Sequence, residues 1–270
     1  MEILEHTINT GLIKTRRKIL SVLILSFLGG VYIAFASEGS TMAAYNLLAN
    51  ADTYGLGKVL AGAVFGTGLM LVVLAGAELF TGNSLIIVSV LERKVTVKAM
   101  LYNWLLVYIG NFLGSLCIAM MMYRSGLFSS SGGLLGGMTI KIASYKTALP
   151  FLSAFFLGVM CNWLVCLAIW VSCGAAETAG KALAIFFIIC LFVTSGFEHS
   201  IANMYYIPAG IFAKQNPQWL AMSQVPADQI ANLNWISFII KNLIPVTLGN
   251  IAGGAGMVGG LYWLSRGKVK

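Results

Sequence analysis

The chain has 270 residues, of which 59% are hydrophobic and 10% charged, and its formal net charge at pH 7 is +8. Soluble domains contain about 25% charged residues, so this composition, with a mean hydropathy of +0.86, excludes a water-soluble globular protein. Apolar stretches that reach the roughly 20 residues of a membrane-crossing helix recur along the chain, and none alternates as barrel strands do. The sequence therefore predicts an all-α integral membrane protein, a single domain over residues 1–270 that lies in the lipid bilayer.

Six apolar spans are predicted in chain order, at residues 19–37, 59–91, 103–123, 150–172, 182–212 and 242–264. The second and the fifth are each interrupted by a polar cluster, at residues 76–84 and 194–200. Irregular backbone at membrane depth is tolerated only where protein buries it or water reaches it. We therefore expect both breaks to line an internal cavity.

Residues 1–18 are predicted to form a cytoplasmic N-terminal helix ahead of the first span. Within them, residues 1–13 have an amphipathic pattern, which is typical of a helix on a membrane surface and suits an element that moves in gating. A cleaved signal peptide is an alternative interpretation. It would consist of the basic segment at residues 14–18, the apolar run that follows it and a cleavage site at Ala34-Phe35-Ala36, just before Ser37. A repeat that needs the first span favours a permanent helix.

That repeat consists of short sequences that recur in the same order in both halves of the chain. Residues 57–61 read Gly-Lys-Val-Leu-Ala and residues 180–184 read Gly-Lys-Ala-Leu-Ala, and the third and sixth spans share a Gly-Asn-x-x-Gly sequence. Each half has three spans, so the second half must enter the membrane with reversed polarity. We predict two inverted three-helix repeats, at residues 19–123 and 150–264, with the functional site near the midplane at the broken helices.

Basic residues are distributed unequally between the two sides of this topology. Eleven of the 17 Lys and Arg residues fall on the side of the termini. The positive-inside rule then places both termini in the cytoplasm, as in a multi-pass protein of the inner (plasma) membrane. Because this bias accounts for much of the net positive charge, no nucleic-acid partner is expected.

Three ionisable residues lie in the two breaks, Glu78, Glu198 and His199. A charge at this depth costs at least ~2.5 kcal/mol on insertion scales, so each should have a role. We expect the glutamates, with Asn203, to support the broken helices, the carboxylates accepting hydrogen bonds from freed backbone amides. His199 is interpreted differently, because imidazole exchanges a proton near neutral pH. With the hydroxyl of Thr81 it would form a central site, the alternative being a hydrogen-bonded core histidine.

The remaining reactive residues form no catalytic or metal-binding pattern. The two histidines, His6 and His199, are far apart, and the five cysteines lie in or at the ends of apolar spans without paired spacing. No nucleophile–base set and no nucleotide-binding loop occur. We predict no metal, no cofactor and no enzymatic activity.

Four ordered blocks of the sequence resemble the formate–nitrite transporter family, at residues 77–83, 162–170, 195–204 and 242–250. The resemblance extends over nearly the whole chain. It implies an aquaporin-like fold of inverted repeats, a homopentamer with one pore in each protomer, and conduction of a small anion such as formate, nitrite or hydrosulfide. Glu78 and Thr81-Gly82-Asn83 look closer to nitrite-type members, whereas residues 207–211 look closer to formate channels. The resemblance therefore does not decide which of these anions is the substrate.

The same resemblance implies roles for individual positions. His199 matches the central histidine of the pore, and Thr81 belongs to the loop inserted at the first break. The implied apolar constrictions are Phe65, Leu69, Leu79, Phe80, Val165 and Phe192. Asn162 matches a polar pore residue beneath the entrance, and Lys146 a basic residue that attracts anions at the outer vestibule. From spacing alone, the apolar positions would be ordinary helix packing and Lys146 an ordinary loop lysine.

The predicted substrate is the anion of a small weak acid. A bare anion in a dry slit is costly, so passage is easier for a conjugate base that is neutralised there, by or through His199. The anion would be gathered at Lys146 and partly dehydrated between Phe192, Val165 and Leu79. One alternative is a proton-coupled secondary transporter, which differs from a channel in kinetics. The other is a neutral-solute pore, against which the lack of an Asn-Pro-Ala pair counts.

Overall fold

The computed structural model describes residues 2–266, so Met1 and residues 267–270, which include the predicted cytoplasmic Lys268 and Lys270, lie outside it. All the regular secondary structure of the described residues is helical, and six of the helices are long and apolar enough to cross a membrane. The predicted all-α class and the six spans are confirmed. In chain order the helices are α1 (Glu2–Arg16), α2 (Ile19–Leu48), α3 (Tyr54–Ala75), α4 (Phe80–Asn83), α5 (Ile86–Leu91), α6 (Val97–Ser125), α7 (Ser130–Ala148), α8 (Phe151–Cys173), α9 (Thr178–Ser195), α10 (Ser200–Ala213), α11 (Pro217–Ser223), α12 (Ala227–Asn232) and α13 (Trp235–Ser265).

Helices α2, α6 and α13 extend furthest beyond the bounds that the hydropathy pattern predicts. Helix α2 continues to Leu48, eleven residues past the predicted end, because polar side chains there find partners inside the bundle; Ser40 Oγ, for example, donates to the carbonyl of Ala61 on α3 at 2.9 Å. Helix α6 starts at Val97, where Thr96 caps the first turn. Helix α13 starts at Trp235 and contains π-helical turns at Phe238–Leu243 and Ala252–Gly260.

The N-terminal helix α1 exists as expected, but its predicted place on the membrane surface is wrong. Leu4 and Ile8 are buried in a cluster with Leu85 and Trp170, and Ser89 Oγ donates to the carbonyl of Ile8 at 2.8 Å. The apolar face of α1 therefore packs on α5 and α8 rather than on lipid. This is the more favourable arrangement, because the bundle offers fitted apolar surface together with hydrogen-bond partners.

Helices α7, α11 and α12 lie where no element was predicted. Helix α7 begins with three residues of positive φ, Ser131, Gly132 and Gly133, and presents a glycine-rich face to Trp219 of α11. A Cβ atom on Gly136 would lie 2.7 Å from the Trp219 ring, so only glycine permits this approach. The segment folds because of this packing and not because of its own hydropathy.

The two halves of the chain pack alike. Helix α2 packs along α3 and α6, and α8 packs along α9 and α13 in the same way, while α3 against α9 joins the halves. The Gly-Asn-x-x-Gly sequences lie at the matching contacts: a Cβ on Gly114 would overlap the carbonyl of Phe27, and one on Gly249 that of Phe155. These contacts agree with the expected duplication and bring the two breaks to the interior.

Candidate functional site

Two cavities lie inside the bundle. The smaller, called here the proximal cavity because α1 borders it, has a volume of about 280 Å³, and the larger, called the distal cavity, about 1040 Å³. The proximal wall includes His6, Lys14, Arg17, Gly76, Glu78, Leu79 and Lys181. The distal wall includes Lys58, Phe65, Lys141, Lys146, Phe192, Glu198, His199 and Asn203.

Helix α3 shows how the cavities are arranged. Its first half contributes Lys58 and Phe65 to the distal cavity, and its end contributes Val72 and Gly76 to the proximal one. Because Phe65 and Val72 are seven residues apart on one helix, the cavities are separated by a barrier of about 10 Å along its axis. Leu69, at the middle of this interval, is only 2% exposed.

Each break begins with a glycine that ends the preceding helix. Gly76 has φ 83° and Gly196 has φ 79°, the left-handed conformation that terminates a helix at low cost when the residue is glycine. After three non-helical residues, of which the last is extended, α4 and α10 begin at Phe80 and Ser200. The second and fifth spans are therefore broken where the sequence predicts.

The free backbone groups of the breaks are satisfied by two asparagines whose function the sequence reasoning missed. Asn111 Oδ1 accepts from the amide of Phe80 at 2.9 Å, and its Nδ2 donates to the carbonyl of Glu78 at 2.9 Å. Asn250 repeats this with the amide of Ser200 at 2.9 Å and the carbonyl of Glu198 at 3.0 Å. The signal was present, because these are the asparagines of the repeated Gly-Asn-x-x-Gly sequence.

The glutamates do not cap backbone amides, and that expectation is wrong. Glu78 accepts from Lys14 Nζ at 2.8 Å and from Arg17 Nη1 at 2.7 Å, while Glu198 accepts from Lys146 Nζ at 2.7 Å. Both carboxylates are at most 2% exposed. A buried charge needs an opposite charge more than a backbone dipole, and the neutral asparagines can serve the amides without that cost.

Further amide side chains complete each carboxylate site. Asn203 Nδ2 donates to Glu198 Oε2 and to Asn242 Oδ1, both at 2.7 Å. In the first half, Asn83 Nδ2 donates to Glu78 Oε2 and to Asn103 Oδ1, both at 2.8 Å. The two sites therefore share a lysine, a glutamate and two asparagines in the same arrangement, and Asn203 lies beside the second break as expected.

Thr81 and His199 meet between the cavities. Thr81 Oγ1 lies 2.9 Å from His199 Nε2, and both residues are buried. His199 lines the distal cavity, whereas Leu79 and Gly82, on either side of Thr81, line the proximal one. This hydrogen bond thus joins the two breaks at the barrier.

The hydrogen bonds of His199 define which of its nitrogens carries the proton. The backbone amide of Ala202 donates to Nδ1 at 3.1 Å, so Nδ1 is the acceptor and caps α10. In the neutral ring the proton is then on Nε2, which donates to Thr81 Oγ1. The Thr81 hydroxyl makes no other side-chain hydrogen bond within residues 2–266, so its own hydrogen is available to a ligand.

The predicted constriction residues fall into three groups. Phe65 and Phe192 line the distal cavity, with ring centroids 5.5 Å apart, and Leu79 lines the proximal one. Leu69 and Val165, each 2% exposed, line neither cavity and lie in the main hydrophobic core.

Phe80, the remaining predicted constriction residue, also lines neither cavity. Its ring packs edge-on against Tyr108 and Trp104 of α6, with centroids 4.8 and 5.9 Å away. Asn162 is fully buried and donates to the carbonyls of Thr81 and Asn250 at 3.2 and 2.7 Å. The structure thus places both side chains among packing and hydrogen-bonding partners.

Lys146 lines the distal cavity, but its side chain is only 11% exposed because it pairs with Glu198 and lies 5.3 Å from the ring centroid of Tyr206. Its charge is therefore largely neutralised at short range. No group of three or more His, Cys, Asp or Glu side chains that could hold a metal ion occurs in the part of the chain that the structure describes.

Comparison with known proteins gives one consistent result. The family model described as "Formate/nitrite transporter" matches residues 1–264. The formate channel FocA of Escherichia coli K12 is 36% identical over 261 residues, covering 94% of this chain and 89% of that protein. The uncharacterized transporter YrhG of Bacillus subtilis is 38% identical over 268 residues, covering 99% and 93%.

Solved structures agree with these matches. A pentameric formate channel with formate bound superposes with a TM-score of 0.82 at 39% identity, covering 92% of this chain and 97% of that one. An FNT family ion channel superposes with a TM-score of 0.79 at 27% identity, covering 97% and 98%. Similarity therefore extends over almost the entire length in each comparison.

Proposed function

Because the chain belongs to the formate/nitrite transporter family, we propose that it is a membrane channel for small monovalent anions of weak acids, with formate and nitrite as its main substrates. Hydrosulfide is a further candidate, since it is also the conjugate base of a weak acid. We assign no catalytic activity to the protein. The observation that carries the proposal is the Thr81–His199 contact, a polar centre inside an apolar barrier between two cavities.

The proposed route crosses one chain, from the distal cavity past Phe65 and Phe192 to His199 and Thr81, and on past Leu79 to the proximal cavity. Leu69 and Val165 form the wall at the depth of the barrier. Apolar side chains on both sides of the centre remove hydration water from an entering ion. Phe80 and Asn162 support this route by holding the first break in place rather than by touching the ion.

The centre suits a weak acid better than a permanent anion. The free hydrogen of the Thr81 hydroxyl can bind an oxygen or sulfur of the substrate, and the proton on His199 Nε2 lies one hydrogen bond behind it. The neutral ring cannot release that proton without becoming an imidazolate, so the proton that neutralises the substrate would come from water in the adjoining cavity. The Thr81–His199 pair stabilises the substrate by hydrogen bonding at the point where desolvation is most costly. Because Nδ1 caps α10, the ring serves as a donor without an added positive charge.

The orientation in the membrane, the location and the oligomeric state are proposed as follows. The excess of basic residues on the proximal side supports cytoplasmic termini and a place in the inner (plasma) membrane. A homopentamer is proposed because the similar formate channel is pentameric, with the exposed apolar faces of the spans meeting lipid or neighbouring subunits. The repeats at residues 19–123 and 150–264 are proposed as the two inverted units, with α1 (Glu2–Arg16) as a helix packed against both of them.

A flux panel in proteoliposomes tests the proposal. Formate, nitrite and chloride are compared at equal concentration, with protein-free liposomes as the control for leakage of the neutral acids. Formate and nitrite should pass, and chloride, which is not neutralised near pH 7, should pass far more slowly. Equal rates for all three would refute the weak-acid mechanism. Current steps carried by the anions would indicate a channel, whereas uptake driven only by an imposed proton gradient would indicate a proton-coupled transporter.

A further inference from the structure

Each cavity is lined by several cations and a single carboxylate. The distal wall has Lys58, Lys141 and Lys146 with Glu198. The proximal wall has Lys14, Arg17 and Lys181 with Glu78. Which cation attracts a substrate depends on which charges remain unpaired, because a cation at hydrogen-bond distance from a carboxylate projects little field beyond it.

Most of these cations are already engaged. Lys146 pairs with Glu198, and Lys14 and Arg17 share Glu78. Lys58 and Lys181 are different, since neither pairs with a carboxylate nor donates a side-chain hydrogen bond within residues 2–266.

The two free lysines are half-buried in their cavity walls. Lys141, the other unpaired cation of the distal wall, is in the exposed class, so water and salt screen its charge more strongly. The half-buried pair is therefore the better placed to act on an ion inside the cavities.

Lys58 and Lys181 also occupy the same position in the two halves, as the lysines of Gly-Lys-Val-Leu-Ala and Gly-Lys-Ala-Leu-Ala. Each of the two lysines lies near the helix break of the other half. Lys58 Nζ lies 3.5 Å from the position a Cβ would have on Gly196, beside the second break, and Lys181 shares the proximal cavity with Gly76 of the first break. An exchange of this kind results when two inverted units interlock.

From these observations we propose that Lys58 and Lys181 are the anion-collecting residues of the distal and the proximal cavity. The inference rests on the proposed channel function and names the residues that feed it. Lys58 precedes Phe65 by seven residues on α3, so the Cα atoms of the two residues lie about 10 Å apart along the helix axis. Lys146 and Lys14 then hold the carboxylates of the breaks in place rather than collecting the ion.

The magnitude follows from the charge and the distance. A unit charge about 10 Å away acts through an effective dielectric constant of about 20 to 80, which corresponds to about a 2- to 15-fold change in local anion concentration. The effect of Lys181 should be the smaller of the two. Lys14 and Arg17 share one carboxylate, so the proximal cavity keeps a surplus positive charge without Lys181.

The test measures the formate concentration that half-saturates uptake, separately from each side. Right-side-out and inverted vesicles are prepared, with the exposed face identified by an N-terminal tag. Half-saturation is the informative quantity, because detailed balance forces the permeability at low concentration to change equally in both directions. The variants are K58Q and K181Q, with K58R and K181R preserving the charge, and K98Q and K241Q as controls at exposed lysines outside both cavities.

At an ionic strength of about 10 mM, K58Q should raise half-saturation by about 2- to 15-fold for entry from the distal side only, and K181Q by less and from the proximal side only. Both effects should shrink near 1 M salt, and the arginine variants should behave like the wild type. Unchanged half-saturation, or equal changes on both sides, in a wild type that conducts would overturn this inference alone. No formate or nitrite flux in the wild type would instead refute the proposed function.

Discussion

Reversing the charge at Lys146 should unfold the distal half of the site rather than merely slow the anion. Lys146 Nζ lies 2.7 Å from Glu198 Oε1, with side-chain exposures of 11% and 2%. Charge centres about 4 Å apart interact by about 4 kcal/mol at an effective dielectric constant of 20. Lys146→Glu replaces that attraction by repulsion, and even loss of one partner of a buried pair costs about 3–5 kcal/mol. The sequence alone predicts only lower conductance for this substitution.

The assay is thermal unfolding of the detergent-solubilised protein, followed by size-exclusion chromatography. Lys146→Met should lower the unfolding temperature strongly, and Lys146→Glu should lower it further. The double variant Lys146→Met with Glu198→Gln should recover part of the loss, because no uncompensated charge remains. If Lys146→Glu unfolds at the wild-type temperature and changes only the flux at low ionic strength, the Lys146–Glu198 ion pair does not stabilise the fold and this reasoning is refuted.

Two further predictions concern the sixth span and its contacts. Asn250→Ala should destabilise the protein by about 2–5 kcal/mol, because the Ser200 amide and the carbonyls of Glu198 and Gly158 lose their buried partners. Unfolding measurements should show no comparable loss for the exposed Asn232→Ala, and equal effects would contradict the assignment. Gly249→Ala should cost about 1–3 kcal/mol by forcing a Cβ into the Phe155 carbonyl, whereas Gly256→Ala, which meets nothing within 4 Å, should be tolerated.

The parts of this fold that depend on local sequence were predictable. Membrane spans follow from hydropathy, and the two breaks follow from glycine and polar residues at corresponding places. Helix α7 was not predictable, because its Gly-Gly pairs and serines are typical of a loop. The segment is helical because its glycines pack against Trp219 of α11, a contact that the local sequence does not show. The end of α2 was missed for a similar reason, since Glu38 and Ser40 look like the end of a span and Ser40 finds its partner only on α3.

The same distinction applies to the candidate site, which is predictable where it depends on local sequence and not where it depends on contacts between distant residues. The Thr81–His199 contact follows from the duplication, because two breaks at matching positions must meet near the midplane. The partners of the glutamates do not follow from it: Lys14 is 64 residues from Glu78, and Lys146 is 52 residues from Glu198. Pattern reasoning had no means of pairing them, whereas the repeated asparagines could have been assigned to the breaks from their sequence alone.

The most direct test of the central claim is the formate flux of Thr81→Val, which keeps the shape of the side chain and removes its hydroxyl. If the substrate crosses the barrier at the Thr81–His199 contact, losing this hydrogen bond should reduce the flux about tenfold or more in folded protein, while Thr67→Val on the exposed face of α3 should leave it unchanged. Wild-type flux and anion selectivity in Thr81→Val would contradict a route through this contact.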